Sequence, residues 1–239
     1  MLTPEQIADY QRDGYIVVPD LLTVAECDAF VAYETSRDRS VAYGLHGHVK
    51  DSAWHSIAAH PNIAGPAAEL SGGPVKIVQT MYLAKPAKGG IGIALHQDSH
   101  YLPNEPNTLM ACWLALSDTD PDNGGLCVAP GTQTGPLRSA HKAKDTSEHT
   151  SWTQDYDMVY PDGTKAVHTM FSFEIDDIAE RELVRLTVPK GSGVFFSGMV
   201  IHGSFANHSS DRPRLAIATH FVHQDTWLFR GDVHDAMLV

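Results

Sequence analysis

The residues best suited to chemistry lie in Leu95-His96-Gln97-Asp98-Ser99-His100-Tyr101. This stretch follows the glycine-rich run Lys88-Gly89-Gly90-Ile91-Gly92 and precedes the turn Pro103-Asn104-Glu105-Pro106. In an extended segment alternate residues share a face, so His96 and Asp98 are expected to project side by side. One imidazole nitrogen and one carboxylate oxygen converging in this way offer two ligands to a divalent metal. A third would complete the two-histidine, one-carboxylate face that holds non-haem Fe(II) and leaves positions open for substrate and oxygen. His-x-Asp alone is weak, since 14 histidines in 239 residues produce such pairs by chance. A half-buried strand ending in polar residues would look the same. His100 extends the row and competes for a ligand role, although strand twist favours a place beside substrate or behind a ligand.

The best third ligand is His202, in Val200-Ile201-His202-Gly203-Ser204. Gly203 permits close backbone approach to a neighbouring atom, and Ser204 shares the face of His202. Further on, Arg214 opens Arg-Leu-Ala-Ile-Ala-Thr-His-Phe, where Arg214, Ala216, Ala218 and His220 share one face. A guanidinium at the mouth of a strand, with alanines leaving room beside it, suits a two-pronged grip on a carboxylate. The bland alternative is a surface pair with an aspartate, which fits Arg212 better. His220 reads as a hydrogen-bonded core histidine. Trp113, between Ala111 and Ala115, reads on pattern as core.

Two kinds of element must position these groups. Up to Gly73 the signals are helical: capping boxes at Thr3-Pro4-Glu5-Gln6 and Thr23-Val24-Ala25-Glu26, a cap at Asp51-Ser52, a start at Pro61-Asn62, and stops at Gly14 and Gly72-Gly73. Tyr15–Val18 reads as a short strand inside this region. After Gly73 come apolar runs of strand length: 75–83, 91–98, 109–117, 125–129, 183–188, 194–196, 199–204 and 214–222. Their short spacings point to a sandwich or barrel. The polar interval 139–182, with His141, His149, Trp152 and the turn Pro161-Asp162-Gly163, is long for a connection and reads as a lid. Residues 223–239 read as a C-terminal tail.

The whole chain limits the possibilities. Its 239 residues suit one domain, and a hydrophobic fraction of 43% supports a sizeable core. The formal charge of −12 argues against nucleic acid or an anionic membrane as partner. No apolar run approaches the ~18 residues that span a bilayer, and the N-terminus lacks signal-peptide features. Cys27, Cys112 and Cys127 form no Cys-x-x-Cys pair and are expected to be reduced in a cytoplasmic protein. Nothing in the sequence fixes an oligomeric state. His46, His48, His55 and His60 lack the cysteines usual in a zinc site, and Asp118, Asp120 and Asp122 read as a solvated turn.

Together the motifs resemble the phytanoyl-CoA dioxygenase family of Fe(II)- and 2-oxoglutarate-dependent oxygenases. The resemblance runs from about Lys76 to Phe221. Its pieces are Thr80-Met81 with Lys85-Pro86, His96 to Tyr101, Ala111-Cys112-Trp113, Asn123-Gly124-Gly125-Leu126 with Pro130-Gly131-Thr132, and His202-Gly203-Ser204 through Arg214. Ordered motifs at compatible spacing are far more specific than any one alone. The resemblance implies a mainly β fold, a double-stranded β-helix (jelly roll) over 74–222 behind an N-terminal helical layer over 1–73. It implies iron held by His96, Asp98 and His202, and 2-oxoglutarate held by Arg214 and Ser204 with Trp113 and Met81 lining its pocket.

The chain also departs from the family. Gln133 stands where a histidine is common, and the upstream lysine of some members falls near His48 or Lys50. The Phe/Trp-rich block of ectoine hydroxylases is absent. Asp98 stands where halogenases carry Gly or Ala, which argues against halogenation. The expected activity is hydroxylation of an unactivated C–H bond of a small molecule by O2, with CO2 and succinate released. The rivals are a non-enzymatic jelly-roll metal protein and a zinc hydrolase using the same ligands. Both leave Arg214 and Ser204 without a purpose.

Overall fold

The computed structural model describes residues 1–38, 40–144 and 151–239. Both capping boxes form. Thr3 opens α1 (Pro4–Asp13), which Gly14 closes at φ 78°, and Tyr15–Val18 follows as β1. Thr23 opens α2 (Val24–Ser36). A short α3 (Gly47–Lys50) leads to α4 (Ser52–Ala58), capped by Asp51, and to α5 (Pro61–Ser71), closed by Gly72.

The rest of the chain is β. The strands are β2 (Val75–Lys85), β3 (Ile93–His96), β4 (Asn104–Glu105), β5 (Met110–Ala115), β6 (Leu126–Ala129), β7 (His141–Lys142), β8 (Thr153–Val159), β9 (Lys165–Phe171), β10 (Phe173–Glu174), β11 (Val184–Arg185), β12 (Gly193–Ser197), β13 (Ile201–Ser204), β14 (Arg214–His223), β15 (Trp227–Leu228) and β16 (Met237–Leu238). Two antiparallel sheets form the barrel: six strands in the order β1-β12-β5-β14-β2-β16, and four in the order β11-β6-β13-β3. This is a jelly roll.

Period-two alternation gives the large sheet two apolar faces. Cys112, Leu114, Phe195 and Ile217 pack outward against Phe30, Trp54 and Ile63 of the helical layer. Ala111, Trp113, Ala115, Ala216 and Ala218 face inward, where Leu126 and Val128 of the small sheet meet them. Small residues dominate the inward face of β14 and keep space open between the sheets. The helices therefore cover the back of the sheet that builds the site.

Three readings of the sequence need correction. The strand expected over 91–98 stops at His96, and Asp98–His100 form a 3-10 turn. The interval 139–182 contains a hairpin, β8 against β9, turning at Pro161-Asp162-Gly163. Its strands carry no clean hydrophobic alternation, because both faces of the hairpin are largely exposed. His149 lies outside the described residues. Residues 223–239 do not trail away: β15 pairs with β4, and β16 extends the large sheet at β2. Among the described residues no helix is long and apolar enough to cross a membrane.

Candidate active site

The two histidines are brought together by strand pairing. β13 runs between β6 and β3, and His202 stands opposite His96 in the ladder, with ring centroids 4.3 Å apart. Gly203 is required here. A Cβ at that position would lie 2.7 Å from Ile93 O, too close for any side chain. His96 Nδ1 is 2.8 Å from Ala94 O and His202 Nδ1 is 3.0 Å from Val200 O. Each Nδ1–H donates to the carbonyl two residues back, which leaves each Nε2 lone pair free for a metal.

Asp98 reaches the same point by a different route from the one its spacing suggests. The 3-10 turn swings its carboxylate back, so Oδ1 lies 3.3 Å from His96 Nε2 and 3.6 Å from His202 Nε2. The turn is clamped on both sides: Gln97 Nε2 donates to Met199 O at 2.6 Å, and Ser99 N donates to Gly198 O at 3.1 Å. Burial alone would push the Asp98 carboxyl up. The imidazoles of His202 and His220 around it, with the hydrogen bond from His220 Nε2, outweigh that and hold the group well below the usual carboxylate range. Burial pushes His202 down to about 4 against the pull of Asp98, so it is neutral at pH 7. Two imidazoles presenting Nε2 and one carboxylate, all buried with donor atoms within 4.8 Å of one another, fit a divalent metal. His100 leaves this row. Its Nε2 faces Arg138 O at 2.9 Å and its ring stacks on Phe173 at 4.7 Å.

Beside the donor set lie two buried cations. Arg214, 2% exposed, donates through Nε to Gly124 O (3.2 Å) and through Nη1 to Leu83 O (3.0 Å), with its guanidinium 5.6 Å from the Trp113 ring centre. Lys85, its cross-strand partner on β2, donates to Ser204 Oγ at 2.8 Å and to Phe205 O at 2.6 Å. No carboxylate among the described residues pairs with either. Burial, then the proximity of Arg214, lowers Lys85 to about 7, and burial lowers Arg214 to about 10. Two cations held this way are a socket for an anion. Ser204 accepts from Lys85, so its own hydroxyl proton remains available to that anion.

His96, Asp98, His202, Ser204 and Arg214 line one cavity of about 360 Å³, with Met81 and Trp113 among its walls. All seven residues singled out in the sequence therefore meet. Several lining groups carried no assignment: Gln79, Tyr101, Trp152, Tyr156 and Arg230. Trp152 approaches Tyr101 at 5.7 Å and the Tyr101 hydroxyl accepts from Phe173 N at 2.8 Å, so residues 152–173 border the cavity. Arg230 comes from the supposed tail, pairs with Asp232 and sits 4.3 Å over the Tyr156 ring. No local pattern announced it. Lys85 stood in a quoted motif, and its burial beside Ser204 was invisible in sequence. His48 is buried against Thr80 Oγ1 at 3.2 Å, Lys50 Nζ donates to Tyr43 O, and neither lines the cavity. Gln133 Nε2 donates to the carbonyls of Gln11 and Arg12 and braces α1. Among the described residues, His46, His48, His55 and His60 form no metal-sized group.

Comparison with known proteins bears on the family and the fold. The chain matches the family described as Phytanoyl-CoA dioxygenase (PhyH) over residues 10–216. It is 28% identical over 250 residues to the peroxisomal phytanoyl-CoA dioxygenase of Bos taurus, covering 92% of this chain and 68% of that protein. For the Homo sapiens enzyme of the same name the identity is 27%, covering 94% and 70%. Among solved structures, the epimerase SnoN in complex with Fe3+, alpha ketoglutarate and nogalamycin RO superposes with a TM-score of 0.71 at 22% identity, over 95% of this chain and 86% of that one. EvdO2 from Micromonospora carbonacea var. aurantiaca, complexed with 2-oxoglutarate, gives 0.70 at 15% identity, over 93% and 91%. These superpositions establish the jelly-roll fold. With the family match spanning most of its length, the chain belongs to the phytanoyl-CoA dioxygenase family of iron- and 2-oxoglutarate-dependent oxygenases.

Proposed function

We propose that this enzyme hydroxylates an unactivated C–H bond of a small organic molecule, consuming O2 and 2-oxoglutarate and releasing CO2 and succinate. The observation that carries the reading is a cavity lined by a buried His-Asp-His donor set and by the buried guanidinium of Arg214, which has no carboxylate partner among the described residues, with the buried Lys85 ammonium behind Ser204. A zinc hydrolase or a structural metal site would have no use for the second feature. His96 Nε2, Asp98 Oδ1 and His202 Nε2 would hold Fe(II), and Arg214 and Ser204 would receive the distal carboxylate of 2-oxoglutarate. Iron with 2-oxoglutarate supplies the oxidising power for C–H attack. The chain orients both groups, while Trp113 and Met81 exclude water from the co-substrate and Trp152, Gln154 and Tyr156 wall the substrate side.

The cavity must hold the co-substrate as well, and at about 360 Å³ it leaves room beside the metal position for the reactive end of a small substrate. Cys27, Cys112 and Cys127 are buried and unpaired, which supports a reducing compartment such as the cytoplasm. The formal charge of −12 supports a small-molecule partner over nucleic acid. The test is a substrate screen with Fe(II), 2-oxoglutarate and O2, following succinate and product mass. Hydroxylation adds one oxygen atom per succinate formed. A product unchanged in oxygen content would point instead to epimerisation or ring closure on the same fold, and absence of Fe(II)-dependent succinate from all conditions would reject the reading.

Lys85 gives this site a pH signature. Without an anion nearby its pKa is depressed to about 7, and a carboxylate placed beside it would raise that value. Binding is then accompanied by proton uptake at and above neutral pH. Apparent affinity for 2-oxoglutarate is expected to be flat below about pH 7 and to weaken toward pH 9, by at most roughly tenfold per unit. Arg214 and Cys127 are the other charged or titratable groups acting on Lys85. Calorimetric titration of the Mn(II)-loaded protein across this range checks it. Lys85→Met should bind more weakly and lose the slope.

A further inference from the structure

Asp98 has a second oxygen, and its surroundings are as ordered as those of the first. Oδ2 lies 3.0 Å from His220 Nε2, and His220 Nδ1 lies 3.4 Å from Gln79 Nε2. His220 on β14 and Gln79 on β2 are cross-strand partners in the large sheet, immediately beside a register shift between His220 and Phe221. Asp98 belongs to the turn that follows β3 of the small sheet. The three side chains therefore bridge the two sheets at the metal position. All are buried.

The direction of the hydrogen bonds can be worked out from donor and acceptor inventories. The Gln79 amide nitrogen can only donate, so His220 Nδ1 accepts. The ring proton then resides on Nε2, where it is donated to the Asp98 carboxylate. With its nitrogen committed, the Gln79 amide must turn Oε1 the other way. That atom is buried without a hydrogen-bond partner, and Gln79, 5% exposed, lines the cavity. The reverse orientation would call for the ring proton on Nδ1 and, in a neutral ring, leave Nε2 bare against the Asp98 carboxylate.

We propose that Asp98, His220 and Gln79 form a hydrogen-bond relay that commits Oδ2 to the protein and leaves Oδ1 alone to face the metal. His220 and Gln79 are thus positioning residues, acting on the metal through Asp98. The consequence is a carboxylate that binds through one oxygen. A carboxylate free to rotate could bind through both and close a position that substrate or oxygen needs. The relay also accounts for the buried orphan acceptor on Gln79. It rests on the reading of Asp98 as a metal ligand.

The test measures Mn(II) affinity of the whole protein by calorimetry for Asp98→Ala, His220→Leu, Gln79→Met and the His220→Leu/Gln79→Met pair. Loss of a ligand's hydrogen-bond partner in His220→Leu should weaken binding by roughly 10- to 100-fold. Gln79→Met keeps the bulk, loses one hydrogen bond, and should weaken binding by roughly two- to tenfold. Because Gln79 acts only through His220, the pair should bind no more weakly than His220→Leu alone. The charge-transfer absorption of the anaerobic Fe(II)–2-oxoglutarate complex should shift in both single variants at unchanged melting temperature, which a merely structural role would not produce. Gln79→Met carries the test if His220→Leu melts early. Wild-type Mn(II) affinity and an unshifted band in Gln79→Met, or losses that add in the pair, overturn the relay. Unchanged affinity in Asp98→Ala overturns the metal face itself, and the relay with it.

Discussion

Replacing His202 by alanine is expected to abolish single-site metal binding at micromolar Mn(II) and, with it, all 2-oxoglutarate turnover. The site has three protein donors, and no other carboxylate or imidazole among the described residues joins the group that could replace a lost one. Removing a donor outright should exceed the roughly 10- to 100-fold cost of removing only its hydrogen-bond partner. The fold should survive. His202 sits mid-ladder on β13, and its backbone pairing with both β6 and β3 does not depend on the imidazole. Titration calorimetry with Mn(II), with a melting curve as control, makes the measurement. An unaltered titration in His202→Ala would falsify the ligand assignment.

The second large effect separates two neighbouring arginines. Arg214→Lys is expected to raise the 2-oxoglutarate requirement roughly ten- to hundredfold while leaving Mn(II) affinity nearly intact. A charge remains at 214, but the guanidinium fork is lost and the ammonium cannot make two parallel bonds to a carboxylate. Hydrogen bonds to charged groups contribute about 1.5–3 kcal/mol, which converts to that range. Arg212 has a different environment. It pairs with Asp120 at the surface, with its side chain 44% exposed, so Arg212→Lys should be close to silent. Succinate formation against 2-oxoglutarate concentration for both variants decides between them. A large shift in Arg212→Lys with none in Arg214→Lys would reverse the assignment. No shift in either would remove the anion socket from the mechanism.

What the sequence by itself determined follows from interactions between near neighbours. Thr3 and Thr23 with their glutamine and glutamate three residues on, and Gly14 and Gly72 at helix ends, fix helix boundaries because each partner lies within one turn. The nearly continuous apolar runs of β5 and β14 mark strands buried on both faces for the same reason. The residues that meet in the cavity were legible too, since His96, Asp98, His202 and Arg214 stand in motifs whose order and spacing are themselves informative.

Tertiary structure decided the rest. Asp98 reaches the metal position because a 3-10 turn replaces the expected strand end, and that turn is held by Met199 O and Gly198 O, about a hundred residues away. The β8–β9 hairpin escaped pattern reading because alternation appears only where one face meets a core. Arg230 enters the cavity from a segment without any periodic signal. Lys85 meets Ser204 across 119 positions, and His220 meets Asp98 across 122. Such contacts are products of sheet register. The sequence specifies which side chains exist, but only the closed barrel brings an ammonium to a hydroxyl, or an imidazole to a carboxylate, and so sets the charge and hydrogen-bond direction on which the chemistry depends.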